Sequence, residues 1–296
     1  MDIKRFAEKV REAFEKKLGG AYRVEVKEVR KNNGVLLHGL LILSGVGNVV
    51  PTIYLETFYA AYEDGIPLTE ILNRIFEIYR EETPRGSVDM EFFRDFRKVG
   101  DRICYRLIRK KDNESLLEDI PYVEFLDLAV CFYYAYNDSR LGEGSILIHN
   151  SHLEFWNVKV RDLMRCAEKN TPRLFPGRVT PMNEVLREVM EMERIPETGE
   201  PIPLAVLTNE RRIHGAACIL YPGMLEMLAG RKRQGFYVIP SSIHEVLLLD
   251  PQEGESTDQL RRMIYEINRE HVAPEDVLSD NLYFYNPAAR AMEIIF

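Results

Sequence analysis

One local pattern constrains this chain more than any other: two strand-like runs joined by a link of a few residues, next to a helix with a single apolar stripe. A link that short joins only antiparallel neighbours, because a parallel crossover needs a dozen or more residues. The first instance is the clearest. "YRVEVKEVRK" places Tyr22, Val24, Val26 and Val29 in near alternation, "NNG" at 32–34 supplies residues that accept positive φ, and "VLLHGLLILS" returns. The almost unbroken apolar run of the return segment predicts burial on both faces. Ahead of it, Ile3, Phe6, Ala7, Val10, Phe14 and Leu18 fall on one helical stripe that Gly19-Gly20 ends.

The same grammar continues. Pro51 opens a helical stretch to about Tyr62, and Thr69 caps a second helix with Ile71, Leu72, Ile75, Phe76 and Tyr79 on its inner face. "RICYRLI" reads as a strand, and "FLDLAVCFYYAY" as a central strand that returns through "NDSRLGEG" to "SILIH". Ser151 and Glu154 match a capping box for a helical unit reaching about Asn170. The Pro- and Gly-rich stretch "TPRLFPGRVT" at 171–180 is the expected boundary between two lobes, 1–175 and 176–296. After a helix with Thr180 as cap and Pro181 at its first position, "PLAVLTN" and "GAACILY" read as strands around "ERRIH", and "GFYVIPSS" and "HEVLLLD" as two more. A helix capped by Ser256 and Gln259 precedes the closing hairpin "NLYFYN"–"AMEIIF". The class is therefore α+β: two lobes, each with antiparallel strand pairs packed against amphipathic helices.

Composition enters where it excludes. With 296 residues and 46% hydrophobic content the chain can bury a core without a metal or disulfide staple. A net charge of -8 argues against a nucleic-acid partner, which calls for a basic face. Cys104, Cys131, Cys166 and Cys218 form no CxxC pair and read as reduced, buried thiols. The longest apolar run, residues 128–136, is far below the roughly 20 residues of a membrane helix. "MDIKRFAEKVREAF" carries too many charges for a signal peptide. The expectation is a soluble, cytoplasmic protein with no membrane partner; a protein partner stays open.

Two places carry residue types that do chemistry. Ser241, Ser242, His244 and Glu245 cluster at the bend between "GFYVIPSS" and "HEVLLLD". A hydroxyl, an imidazole and a carboxylate are what acyl transfer uses. Against that, neighbouring side chains on a strand diverge, and no GxSxG elbow exists. The competing account is a polar turn whose serines bond their own backbone. His149 and His152 form an H-x-x-H that could grip a metal if both imidazoles shared a helix face, but no third ligand stands out, and solvated capping histidines explain them as well. "SGVGNVVP" at 44–51 has Gly45 and Gly47 but Val50 where a third glycine belongs, and it follows a hairpin strand, so no nucleotide cofactor is expected from it. The cations of "GRKRQG" at 230–235 read as a solvated helix end. No cofactor is expected.

Several segments carry a resemblance: "PTIYLETFY", "FLDLAVCFYYAY", "LIHNSHLEFWNVKVRDLMRCAEKNTPRLFP", "GAACILYPGMLEML", "GFYVIPSSIHEVLLLD" and "VAPEDVLSDNLYFYN". Together they resemble a family of uncharacterised bacterial proteins, a domain of unknown function common in anaerobic gut Gram-positive bacteria, often near mobile elements. The resemblance implies no activity, cofactor or catalytic residue. The expected function is that of a non-catalytic binding or regulatory protein. The alternative is a hydrolase using the polar residues of the 241–245 bend.

Overall fold

A computed structural model describes residues 1–44, 50–82, 90–138, 142–190, 203–230, 234–251 and 256–296. The glycine pair Gly45 and Gly47 and the cations at 231–233 lie outside the described residues. The chain divides into two compact units. Unit 1 is Met1–Phe92 with Tyr136–Gly144, and unit 2 is Phe93–Ala135 with Ser145–Phe296. The expected 175/176 division falls inside unit 2.

Unit 1 begins with α1 (Ile3–Leu18), capped by Asp2, whose carboxylate accepts the Arg5 N–H at 2.8 Å. The hairpin β1 (Arg23–Arg30) and β2 (Leu36–Leu43) follows in the expected register, and Asn33 and Gly34 take the positive φ that its turn requires. Next come β3 (Thr52–Tyr54), α2 (Glu56–Glu63) and α3 (Leu68–Glu82). Two expectations are corrected here. Residues 52–54 pair with β2 before the chain turns helical, so the helix starts at Glu56 rather than Pro51. The strand β2 buries Leu40 and Ile42 on the face toward α1, α2 and α3, while Leu37, Leu41 and Leu43 on the opposite face are only half-buried, so burial is one-sided and not on both faces. Phe6, Val10 and Phe14 of α1 meet Ile71 and Ile75 of α3 in that core.

Unit 2 opens with the short α4 (Phe96–Val99), then β4 (Ile103–Arg109), α5 (Glu114–Leu117), β5 (Tyr122–Phe125) and the long β6 (Leu128–Asp138), beside which β7 (Gly142–Leu147) returns; of these two strands the residues from Tyr136 to Gly144 are counted with unit 1. Strand β6 lies between β4 and β5, all antiparallel. Then come α6 (Asn150–Trp156) and α7 (Val160–Leu174), separated by Asn157 in the left-handed region. The remaining elements are β8 (Gly177–Pro181), α8 (Met182–Met190), β9 (Leu204–Asn209), α9 (Met224–Ala229), β10 (Phe236–Ile239), β11 (Val246–Leu249), α10 (Thr257–Glu270), β12 (Leu282–Asn286) and β13 (Ala291–Ile295). Six of these form one antiparallel sheet in the order β13-β12-β10-β11-β9-β8. Leu260 and Ile264 of α10 pack on Ile239, Leu249 and Leu282 of that sheet. The α+β class holds.

The aperiodic 171–180 stretch resolves into the last turn of α7, which contains Pro172, and the strand β8. Tertiary bonds hold that last turn. The Asn170 amide donates to the carbonyls of Gly100 and Ile103 at 2.7 and 3.0 Å, and the Thr171 hydroxyl accepts the Tyr105 N–H at 3.1 Å. Helix α8 starts at Met182, with Thr180 and Pro181 in β8 before it. "GAACILY" is also corrected: Gly215–Leu220 is a 3-10 helix, not a strand. A Cβ at Gly215 would collide with the Thr208 hydroxyl and the His244 carbonyl, so this segment crosses the end of the sheet at backbone contact instead of joining it. Among the described residues no helix is long and apolar enough to cross a membrane.

Candidate functional site

The bend between β10 and β11 forms as a laced turn. The Ile243 N–H donates to the Asp276 carbonyl at 2.8 Å, the Leu278 N–H to Ser241 at 3.1 Å and the Ser279 N–H to Pro240 at 2.9 Å. The Ser242 hydroxyl oxygen accepts the backbone N–H of His244 at 3.1 Å, the local serine turn anticipated for this bend. Among the described residues Glu245 has no ion pair or side-chain hydrogen bond, and neither serine hydroxyl bonds to the His244 ring. The ring instead turns to two other segments. Its Nδ1 accepts the backbone N–H of His214 at 3.3 Å, and its Nε2 lies 3.4 Å from Asp276 Oδ1. That bonding pattern assigns the ring proton to Nε2, facing the carboxylate.

The contact with His214 leads to a place the sequence reading did not mark. His214 stands at the end of the turn 209–214, which Asn209 organises. The Asn209 Oδ1 accepts the N–H groups of Arg211 and Ile213, its amide donates to the Ile213 carbonyl at 2.8 Å, and its own carbonyl accepts Arg212 N–H at 2.9 Å. Arg212 and His214 both adopt positive φ, 53° and 52°. This conformation lays the His214 ring flat on the His244 ring, 5.9 Å between centroids and 9° between planes. The Tyr133 ring centroid lies 5.7 Å from that of His214, the two planes tilted by 60°.

Strand register brings a charge to the same place. On antiparallel strands directly opposed residues share a face. Arg106 opposes Cys131, and Cys104 opposes Tyr133, so the Arg106 side chain rises between an apolar thiol and the Tyr133 ring. It is flanked along β4 by Cys104 and Ile108, both buried. The Arg106 Nε is sealed without a partner, and among the described residues no carboxylate or carbonyl accepts from the guanidinium. Burial pulls its pKa below the ordinary guanidinium value, yet an arginine keeps its proton in a protein interior. Two further polar groups beside it are also unbonded. Neither ring nitrogen of His214 makes a hydrogen bond, its Nδ1 being sealed, and the Tyr133 hydroxyl makes none. Burial first, then the Arg106 charge and the His244 ring, lower the His214 pKa to about 3. Burial raises the Tyr133 phenol above its ordinary range, with the Arg106 charge pulling the other way. Of these groups only the Arg106 Nε and the His214 Nδ1 are sealed from solvent, at a cost of about 1–3 kcal/mol each. Chemically, the outer guanidinium N–H donors, a phenol and an imidazole, with no carboxylate bonded to them among the described residues, suit an anion.

The second sequence candidate lies elsewhere in unit 2. His149 caps α6, its Nδ1 2.7 Å from Asp119 Oδ2, and its backbone N–H donates to Nδ1 of His152 at 3.0 Å. The capping pair is thus His149 and His152, not Ser151 and Glu154. His152 is also stacked on Trp156 at 5.4 Å, and burial, then His149, lower its pKa. One of its ring nitrogens is therefore already committed to the cap. Among the described residues no three His, Cys, Asp or Glu side chains are grouped to hold a metal.

The signal for Arg106 was present in "RICYRLI": a cation in mid-strand with apolar residues on both sides in sequence. The meeting of His214 with His244, 30 residues apart, leaves no such trace. A family model described as a family of unknown function matches residues 3–287. No curated protein and no solved structure matches the chain. With nearly its whole length covered, the chain belongs to DUF5688, a family of unknown function.

Proposed function

We propose that this protein is a cytoplasmic, non-catalytic binding protein whose unit 2 captures a small ligand by a carboxylate or phosphate group at Arg106. The observation that carries the reading is the Arg106 guanidinium, charged, sealed at Nε and without an acceptor among the described residues. His214 and Tyr133 supply additional donors at its side. The state of His244 favours binding over turnover. A hydrolase working from Ser242 needs an imidazole nitrogen free to take the hydroxyl proton. Here Nδ1 is engaged by the His214 N–H and Nε2 faces Asp276. The acidic chain favours a small anion over a polyanion, since long-range repulsion rises with the number of phosphates.

The test is thermal unfolding in inorganic phosphate, in citrate and in sodium chloride at matched ionic strength, on the wild type and on Arg106→Gln. Kosmotropic anions stabilise many proteins without binding, so the variant decides. The expected result is a rise in Tm with phosphate or citrate that Arg106→Gln loses. An equal rise in both proteins would end the proposal.

A further inference from the structure

We infer, building on the anion-binding reading, that His214 takes up a proton as the anion binds at Arg106, so that the anion is held more tightly as pH falls. Burial, the Arg106 charge and the His244 ring all oppose a positive His214 ring. Arg106 reaches it from β4, the His244 ring covers one face with Asp276 beyond it, and the Tyr133 phenol stands at its edge from β6. On its own turn, Arg211 adds a second cation near Tyr133. The ring is neutral, with Nδ1 sealed and unbonded.

An anion seated on Arg106 reverses two of these conditions together. It cancels the guanidinium charge that His214 feels, and it offers an acceptor to an imidazole that has none. An opposite charge within about 4–6 Å commonly shifts a titrating group by 1–3 units toward its charged form. Cancelling the guanidinium's effect adds to that. The bound state therefore holds one more proton than the free protein and the free ligand, and this proton comes from solvent onto a His214 ring nitrogen. By linkage, affinity rises wherever binding takes up protons. Arg106 does not titrate in the working range, and the buried Tyr133 phenol is pushed away from it. The two imidazoles are left as carriers, and His244 already has Nδ1 committed as an acceptor to the His214 N–H.

Sulfate is the probe, because it carries no titrating proton between pH 5 and 8. Isothermal titration of the full chain, in two buffers of different ionisation enthalpy at each pH, reads affinity and proton uptake together. If binding returns His214 to its ordinary value near 6.5, affinity should rise about tenfold from pH 7.5 to 5.5. Uptake should approach one proton at the lower pH. His214→Asn keeps a residue that tolerates positive φ, and it should bind sulfate with no pH dependence and no uptake. His244→Gln should keep both. Binding with flat affinity and buffer-independent heat overturns proton coupling and leaves the anion site standing. Uptake that survives His214→Asn and vanishes in His244→Gln assigns the proton to the other ring and overturns the inference. No sulfate binding by the wild type at any pH removes the site and the coupling together.

Discussion

Two arginines stand three residues apart on β4, and unit 2 treats them in opposite ways. Arg109 is bonded on both sides, its Nη1 to Asp112 at 3.1 Å and its Nη2 to Asp280 at 2.6 Å. Burial works against its charge, but those bonds outweigh it and its pKa is raised. Beyond it, a network gathers donors on one carboxylate, although the Asn268 Oδ1 in it is buried without a partner. Asp127 accepts from the Ser279 hydroxyl at 2.7 Å, the Asn281 amide at 3.0 Å and the Tyr283 hydroxyl, and the Asn268 amide donates to Ser279 and Asp280. Arg106, pointing to the other face, has none of this. The difference separates two uses of buried polarity. A network in which donors meet acceptors holds loops and strands in register. A set of donors left without acceptors within the protein is what a ligand site requires.

The comparison can be broken at several points. The largest effect belongs to the Asp127 network. Asp127→Ala leaves Ser279, Asn281 and Tyr283 without their common acceptor and should cost about 3 kcal/mol, from roughly 1–3 kcal/mol per stranded buried group. Urea unfolding would read this as a lower midpoint at unchanged m-value. A loss under about 1 kcal/mol would mean that the network does not hold the fold as its bonds suggest.

Acid titration of His214 comes next. His214 has a folded pKa near 3, depressed from an unfolded value of 6.5. The unfolded chain therefore binds the proton first as pH falls. Stability from this group is complete above 6.5 and declines below it, by up to about 1.4 kcal/mol per pH unit. In chloride buffer free of other anions, the wild type should lose stability between pH 7 and 5, and His214→Asn should lose measurably less. Equal slopes would mean that the ring is hydrated and not sealed.

The smallest effect is the most pointed. Arg109→Met should destabilise by about 1 kcal/mol, since the partners it leaves are half exposed. Arg106→Met, in the absence of an anion, should stabilise by about the same amount, because it replaces an unpaired buried charge with an apolar side chain of similar length. Opposite signs in the same unfolding assay would sharpen the contrast, and a destabilised Arg106→Met would erase it.

How much of this was legible in the sequence follows from how local each cause is. The hairpin around Asn33 and Gly34 and the helix stripe from Phe6 to Phe14 are set within a few residues, and both formed as read. "GAACILY" was misread because its apolar run fits a strand, while the decisive fact, the approach of Gly215 to Thr208 and His244, comes from a segment 30 residues on. The Ser241–Glu245 bend was found, and its serine turn was anticipated, but its importance lies in what the His244 ring meets. Arg106 was written in plain view as a cation inside an apolar strand. Only the fold tells that no acid among the described residues comes to meet it, because a missing partner cannot be read from any window of sequence.

The turn tied by Asn209 has a consequence in rates. Three hydrogen bonds through one buried side chain, added to a backbone bond, leave the segment that carries His214 with little freedom to lose. A receptor held in its binding shape spares the entropy of ordering loops when a ligand arrives, and that saving falls on the complex as a whole. If Arg106 binds an anion as proposed, capture would proceed as a single encounter instead of an encounter followed by a slow rearrangement, and ligands would differ in how long each one stays.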